Sequence, residues 1–160
     1  MQASQQLFSD VYTVSTARSA DIVELKRIEI ECMLSPWTLE SYLKELGRED
    51  SMVLKAESRD GSIMGFLLGR APRSGEAAIY NIGTASAFRR SGVGSLLLAE
   101  FRKHSVARGC SEIWLEVRAS NETAISFYLS KGFTSRGIRP GFYSNPTDDA
   151  LLMSLSLQAS

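Results

Sequence analysis

Histidine and cysteine are scarce in this chain. Its 160 residues include one histidine, His104, and two cysteines, Cys32 and Cys110. One imidazole is too few for zinc sites built on two or three histidines, and it argues against Ser–His–Asp or Cys–His nucleophile machinery. His104 falls in a helical run and reads as a helix-surface residue. The cysteines are far apart and have no CxxC partner, so they read as two reduced, buried thiols rather than a disulfide framework. An excess of one charge is also absent. Lys+Arg is 18 and Asp+Glu is 18, giving a net charge of zero. That argues against bulk electrostatic binding to nucleic acid or to a membrane surface. No run approaches the ~18 apolar residues of a membrane span. Met1 to Asp10 is polar, lacks the apolar core of a signal peptide, and is expected to fray. A cytoplasmic location is the expectation, with no nucleic-acid or membrane partner and no metal.

What remains is ordinary globular composition, 44% hydrophobic and 22% charged. The length suits one domain over residues 1–160 with a full core. Val11 to Val14 alternates as a first strand. Ser19 is placed to cap a helix running to about Cys32, with Ile22, Leu25, Ile28 and Cys32 on one stripe. Ser35-Pro36-Trp37-Thr38 breaks it. A second helix turns Leu39, Tyr42, Leu43 and Leu46 inward and ends at Gly47. Met52–Glu57 and Ile63–Gly69 read as strands around an Asp60-Gly61 hairpin turn. Ala77–Thr84 is the next strand, and Leu96–Ala107 a long helix. Glu112–Arg118 is a strand and Asn121–Lys131 a helix. Phe133–Ile138 and Ala150–Leu157 are strands joined by a Gly/Pro-rich loop, Arg139–Asp149. The order β-α-α-β-β-β-α-β-α-β-β gives a mixed sheet with helices on its faces, an α/β (α+β) fold.

The stretch Arg89-Arg90-Ser91-Gly92-Val93-Gly94 lies between a strand and a helix. Successive N–H groups and a helix N-terminus there favour an anion, and the glycines allow close approach. Gly-Lys-Ser/Thr does not follow, so this is not a Walker cradle. Leu97 stands where the dinucleotide pattern Gly-x-Gly-x-x-Gly needs glycine. Gln/Arg-x-x-Gly-x-Gly/Ala is satisfied. By itself the stretch is either a pyrophosphate cradle or an unliganded glycine turn.

Three further segments give it context. They are Leu115-Glu116-Val117-Arg118-Ala119-Ser120-Asn121, Tyr128-Leu129-Ser130-Lys131-Gly132-Phe133 and Gly141-Phe142-Tyr143-Ser144-Asn145-Pro146. Together with the cradle they resemble the GNAT acetyltransferases over about residues 77–157. With Ser35-Pro36-Trp37-Thr38 they resemble more narrowly its RimI-like branch, which acetylates protein amino termini. The resemblance implies acetyl-CoA as cosubstrate. It also implies a protein N-terminus as acceptor, with the alanine of ribosomal protein S18 as partner.

On spacing alone, Glu116 suits an ion pair with Arg118 or a solvated strand face as well as a base; the resemblance makes it the general base. Tyr128 is either a core aromatic or, by resemblance, the acid toward the departing sulfur. Asn121 is a helix cap, a contact to the pantetheine side, or both. Ile82, Gly83 and Thr84 close a strand, and the resemblance pairs their backbone with pantetheine; Gly83 suits a close approach or a bulge. Arg89, Arg90, Ser91, Gly92, Val93, Gly94 and Ser95 would hold the pyrophosphate. Trp37 and Tyr143 would flank the acceptor, Trp37 being equally suited to the core. Thr84-Ala85-Ser86-Ala87 lacks the acidic and proline residues common before the cradle, and Pro140-Gly141 is unusual before the aromatic pair. Both departures bear on acceptor preference. No nucleophilic cysteine is expected near the proposed site, which favours direct transfer in a ternary complex over a covalent acetyl-enzyme. The alternatives are a GNAT enzyme acting on a small amine or lysine, and a non-catalytic acyl-CoA-binding module.

Overall fold

Hydrophobic alternation and helical stripes place two separate cores on the two faces of one mixed sheet. In the computed structural model, which describes residues 11–158, the strands are β1 (Val11–Thr16), β2 (Ser51–Ser58), β3 (Ile63–Arg70), β4 (Ala77–Thr84), β5 (Glu112–Arg118), β6 (Thr134–Tyr143) and β7 (Asp148–Ser156). The helices are α1 (Ile22–Glu31), α2 (Leu39–Leu46), α3 (Val93–Ala107) and α4 (Glu122–Ser130). The strand order is β1-β2-β3-β4-β5-β7-β6. Neighbours are antiparallel except β4 and β5, which are parallel and joined through α3. The expectations for residues 1–10 lie outside the described residues.

One core joins α3 and α4 to the sheet: Leu97 and Phe101 meet Leu67, Ile79, Ile113, Leu115 and Met153. The other joins α1 and α2 to Val53, Phe66 and Leu68. No residue of β5, β6 or β7 belongs to that second core. Ile113, Leu115 and Val117 of β5 point into the first core. Strand alternation therefore sends Glu112, Trp114, Glu116 and Arg118 to the face that α1 and α2 leave uncovered.

Local chemistry sets the helix ends. Thr38 Oγ1 accepts from Ser41 N at 3.0 Å to cap α2, and Asn121 Oδ1 accepts from Ala124 N at 3.1 Å to cap α4. Ser19 does not cap α1. It lies in a short 3-10 turn, Ser19–Asp21, in which Asp21 accepts from Arg18 N instead. In α2 only Tyr42 of the expected apolar stripe is fully buried. Leu39 and Leu43 are exposed, because the eight-residue helix rests on the sheet through one narrow line. Arg139–Asp149 is mostly not loop. β6 continues to Tyr143 and β7 begins at Asp148, so only 144–147 turn. Proline and glycine are tolerated there because β6 is the sheet edge. His104 sits exposed on α3, 3.0 Å from Glu100. Cys110 is buried and free, while Cys32 is only half-buried.

Candidate active site

The parallel pair β4–β5 is unfinished. It has three rungs, Ala77 to Ile113, Ala78 to Trp114 and Ile79 to Leu115. Beyond them β4 stays paired with β3 as far as Thr84, and β5 stays paired with β7 as far as Arg118. The two strands therefore splay apart at Tyr80 and Glu116. A register shift between Ile79 and Asn81 bulges β4 at Tyr80, where the opening starts. The β5-facing edge of Tyr80–Thr84 is left without a strand partner. Such an edge accepts an extended ligand as an added strand.

Two cavities meet at the opening. One, of about 350 Å³, is lined by Ile82, Val117, Asn121, Tyr128 and the loop after α1. The other, of about 430 Å³, is lined by Trp37, Trp114, Arg139 and Phe142. Tyr80, Glu116 and Tyr143 line both. Glu116 Oε1 is 3.8 Å from Arg139 Nη1, while its Oε2 is shut off from solvent with no partner among the described residues. Arg118 lies over the Tyr143 ring at 4.5 Å and donates to the carbonyls of Pro146 at 2.7 Å and Ser144 at 3.2 Å. It thereby ties the β6–β7 turn to β5. Burial, then the Glu116 charge, pushes the Tyr143 phenol up to about 12. Tyr128 is buried between Phe127 and Phe133 at centroid distances of 5.3 and 5.5 Å, and burial raises its phenol well above the ordinary value.

The glycine stretch opens α3. Arg90 (φ 62) and Gly92 (φ 89) are both left-handed, so the chain turns sharply before Val93. Gly92 is the N-cap, and no side chain among the described residues caps the helix. Its first N–H groups are thus free for a ligand. Ser91 Oγ donates to Phe88 O and braces the turn. Arg89 points away, to Thr84 O at 3.4 Å and Cys32 Sγ at 3.7 Å. The bulge in β4 is at Tyr80 and not at Gly83. Gly83 serves a close approach instead: a Cβ there would sit 3.0 Å from Leu34 Cδ1 and 3.2 Å from Cys32 Sγ. Asn121 combines its cap with a place in the first cavity.

Three features escape the motifs. Cys32 does line the first cavity, with its Sγ donating to Thr84 O at 3.3 Å. Its place at the end of α1, far along the chain from the cradle, hid this. Glu29 is buried and accepts from Trp37 N at 2.9 Å, Tyr42 Oη at 2.8 Å and Lys26 Nζ at 2.6 Å. It fixes the loop that sets Trp37 against Tyr80, ring centroids 5.8 Å apart. Arg139 could be read only as part of a loop. Among the described residues no group of three or more His, Cys, Asp or Glu could hold a metal, and no helix is long and apolar enough to cross a membrane.

A slot between splayed parallel strands, with an open helix N-terminus past one strand and a carboxylate on the other, suits an extended, phosphate-bearing ligand brought up to a base. The chain belongs to the acetyltransferase (GNAT) family, which matches residues 22–133. It is an acetyl-CoA-dependent N-acetyltransferase. It is 31% identical over 148 residues to the [ribosomal protein bS18]-alanine N-acetyltransferase of Salmonella typhimurium, covering 91% of this chain and 97% of that protein. The crystal structure of the ribosomal-protein-S18-alanine N-acetyltransferase from Escherichia coli superposes with a TM-score of 0.81 at 28% identity, covering 92% of this chain and 95% of that one. Naa20 of Chaetomium thermophilum, in complex with a bisubstrate analogue, gives 0.81 at 25% identity, covering 90% and 86%. The residues present fit the cosubstrate. The partnerless β4 edge suits pantetheine amides, and the uncapped turn at Arg90–Ser95 suits the pyrophosphate.

Proposed function

We propose that this chain acetylates the α-amino group of a protein N-terminus by direct transfer in a ternary complex. The observation that carries the reading is the place of Glu116. Its carboxylate stands where the donor-side and acceptor-side cavities meet, with one oxygen free of partners. Acetyl-CoA supplies an activated thioester carbonyl. Ile82, Gly83 and Thr84 align its pantetheine, Asn121 supports the same arm, and Arg90 to Ser95 form the turn that receives the pyrophosphate, with the Arg89 side chain bracing Thr84 O behind it. Glu116 accepts the amine proton, directly or through water. An α-amine with pKa ~8 sheds its proton far more readily than a lysine at ~10.4, so a weak base suffices. Tyr128 donates toward the leaving sulfur. Its raised pKa keeps the phenol protonated, as a donor must be. Trp37 and Tyr143 flank the entering terminus. Cys32 is held by Thr84 O and stays outside the chemistry.

The relatives named for the alanine terminus of ribosomal protein S18 make that terminus the first candidate acceptor, and a cytoplasmic reaction goes with that reading. The test compares a peptide beginning Ala-Arg with a free polyamine and an internal-lysine peptide. The α-amine peptide should be acetylated at least tenfold faster, with no acetylated protein accumulating when acceptor is omitted. Faster polyamine or lysine transfer would select the small-amine or lysine alternative. Tight CoA binding without any turnover would leave only a binding module.

A further inference from the structure

Trp114 precedes Glu116 by two residues on β5, so both side chains rise from the same uncovered face. Both line the acceptor-side cavity. Both also share an unusual condition. Trp114 Nε1, like Glu116 Oε2, is shielded from solvent and has no hydrogen-bond partner among the described residues. Shielded indole N–H groups are usually paired, so an unpaired one beside the proposed base calls for a partner that the free chain does not supply. The exposed Arg136 guanidinium lies over the indole ring, 5.2 Å from its centroid. It comes from β6, the sheet edge.

The spacing identifies the partner. Two strand residues span roughly 7 Å. In an extended acceptor, the second residue's carbonyl lies about the same distance from the α-amine. An amine at Glu116 thus brings that carbonyl alongside Trp114. One group accepts a proton and the other donates a hydrogen bond, the complement of an amine followed by peptide carbonyls. We propose that Trp114 is a specificity-determining residue whose Nε1–H donates to the backbone carbonyl of the acceptor's second residue. This rests on the α-amine reading above. It makes the site a reader of peptide backbone, and it disfavours polyamines, which have no carbonyl to offer.

Two acceptors test it: alanyl-alaninamide and alanyl-isopropylamide, which differ only in the second carboxamide. The wild-type protein should favour the first by about fivefold to tenfold in kcat/KM, the range one neutral hydrogen bond supplies. In Trp114→Phe, which keeps a ring beneath Arg136 and removes only the donor, that ratio should fall to near one. Because the readout is a ratio within each protein, general loss of activity does not mimic it. In the wild-type protein the Trp114 indole N–H resonance should also move with alanyl-alaninamide and stay still with the isopropylamide. A wild-type ratio near one, a ratio that survives in Trp114→Phe, or an unmoved indole resonance each overturns the proposal. No transfer to either acceptor, with CoA binding intact, overturns the α-amine reading and this inference with it. A ratio near one with both acceptors acetylated overturns this inference alone.

Discussion

In the proposed reaction Glu116 and Tyr128 face opposite demands, and their surroundings answer them differently. Glu116 keeps one oxygen partly exposed near Arg139 and the other free, so it can take a proton. Tyr128 is enclosed by Phe127 and Phe133 and holds its proton. Replacing Glu116 with Gln should slow transfer about 100-fold at pH 7 and clearly less at pH 9, where more of the amine is already neutral. Steady-state rates at the two pH values check this, and an equal loss at both argues against a base. Tyr128→Phe should lower kcat about 100-fold while acetyl-CoA binding, followed by calorimetry, stays within about twofold. Glu29 acts at one remove. Leucine there would strand Trp37 N–H and the buried Tyr42 hydroxyl, while the Lys26 ammonium keeps only its bond to Trp37 O. A loss of about 3 kcal/mol in denaturant unfolding is expected.

Among the elements, the proposed donor contacts lie at the start of α3 and the proposed acceptor contacts at the tip of β6–β7, so substitutions can separate the two. Gly92 at φ 89 admits alanine only with left-handed strain of about 1 kcal/mol. Gly92→Ala should weaken CoA binding and lower Tm by about 2–4 °C, read by titration and thermal melting. Arg118→Gln releases the carbonyls of Ser144 and Pro146. It should raise KM for the peptide about tenfold and leave KM for acetyl-CoA nearly unchanged. The strands themselves were largely legible. Ala77–Thr84 and Glu112–Arg118 have the bounds that alternation suggested, because their side chains sort cleanly between a core and an open face. β6 was not legible past Ile138. Pro140 and Gly141 look like a turn to any local rule, and only the edge position excuses them. The insertion of β7 between β5 and β6, and the splay at Tyr80, depend on pairing between distant segments. The burial of Glu29 was hidden likewise, since a charged residue on a helix reads as solvent-facing until the following loop folds over it.

At the scale of the whole molecule, burial of phenols sets an alkaline limit. Tyr42, Tyr128 and Tyr143 all have raised pKa values, with desolvation the largest cause in each. A raised folded-state pKa stabilises the neutral form. That stability is complete below the unfolded value near 10 and is lost as pH climbs through the folded one, about 12 for Tyr143. Tm should hold from pH 8 to 9.5 and fall steeply above pH 10, with phenolate absorbance rising together with unfolding. The helices also cover the sheet unevenly, with both faces of β2 and β3 packed and one face of β5 open. The three-rung junction of β4 and β5 carries a last consequence. A sheet joined across its middle by so few rungs relies there, without its cosubstrate, on the packing of α3 beneath β4 and β5. The amides of Tyr80 to Thr84 that face the gap should exchange with solvent deuterium quickly in the free chain and slowly once CoA lies along them. The donor then acts as a missing strand as well as a reactant, and the amount of it in the surroundings becomes a control on how firmly the enzyme itself is folded.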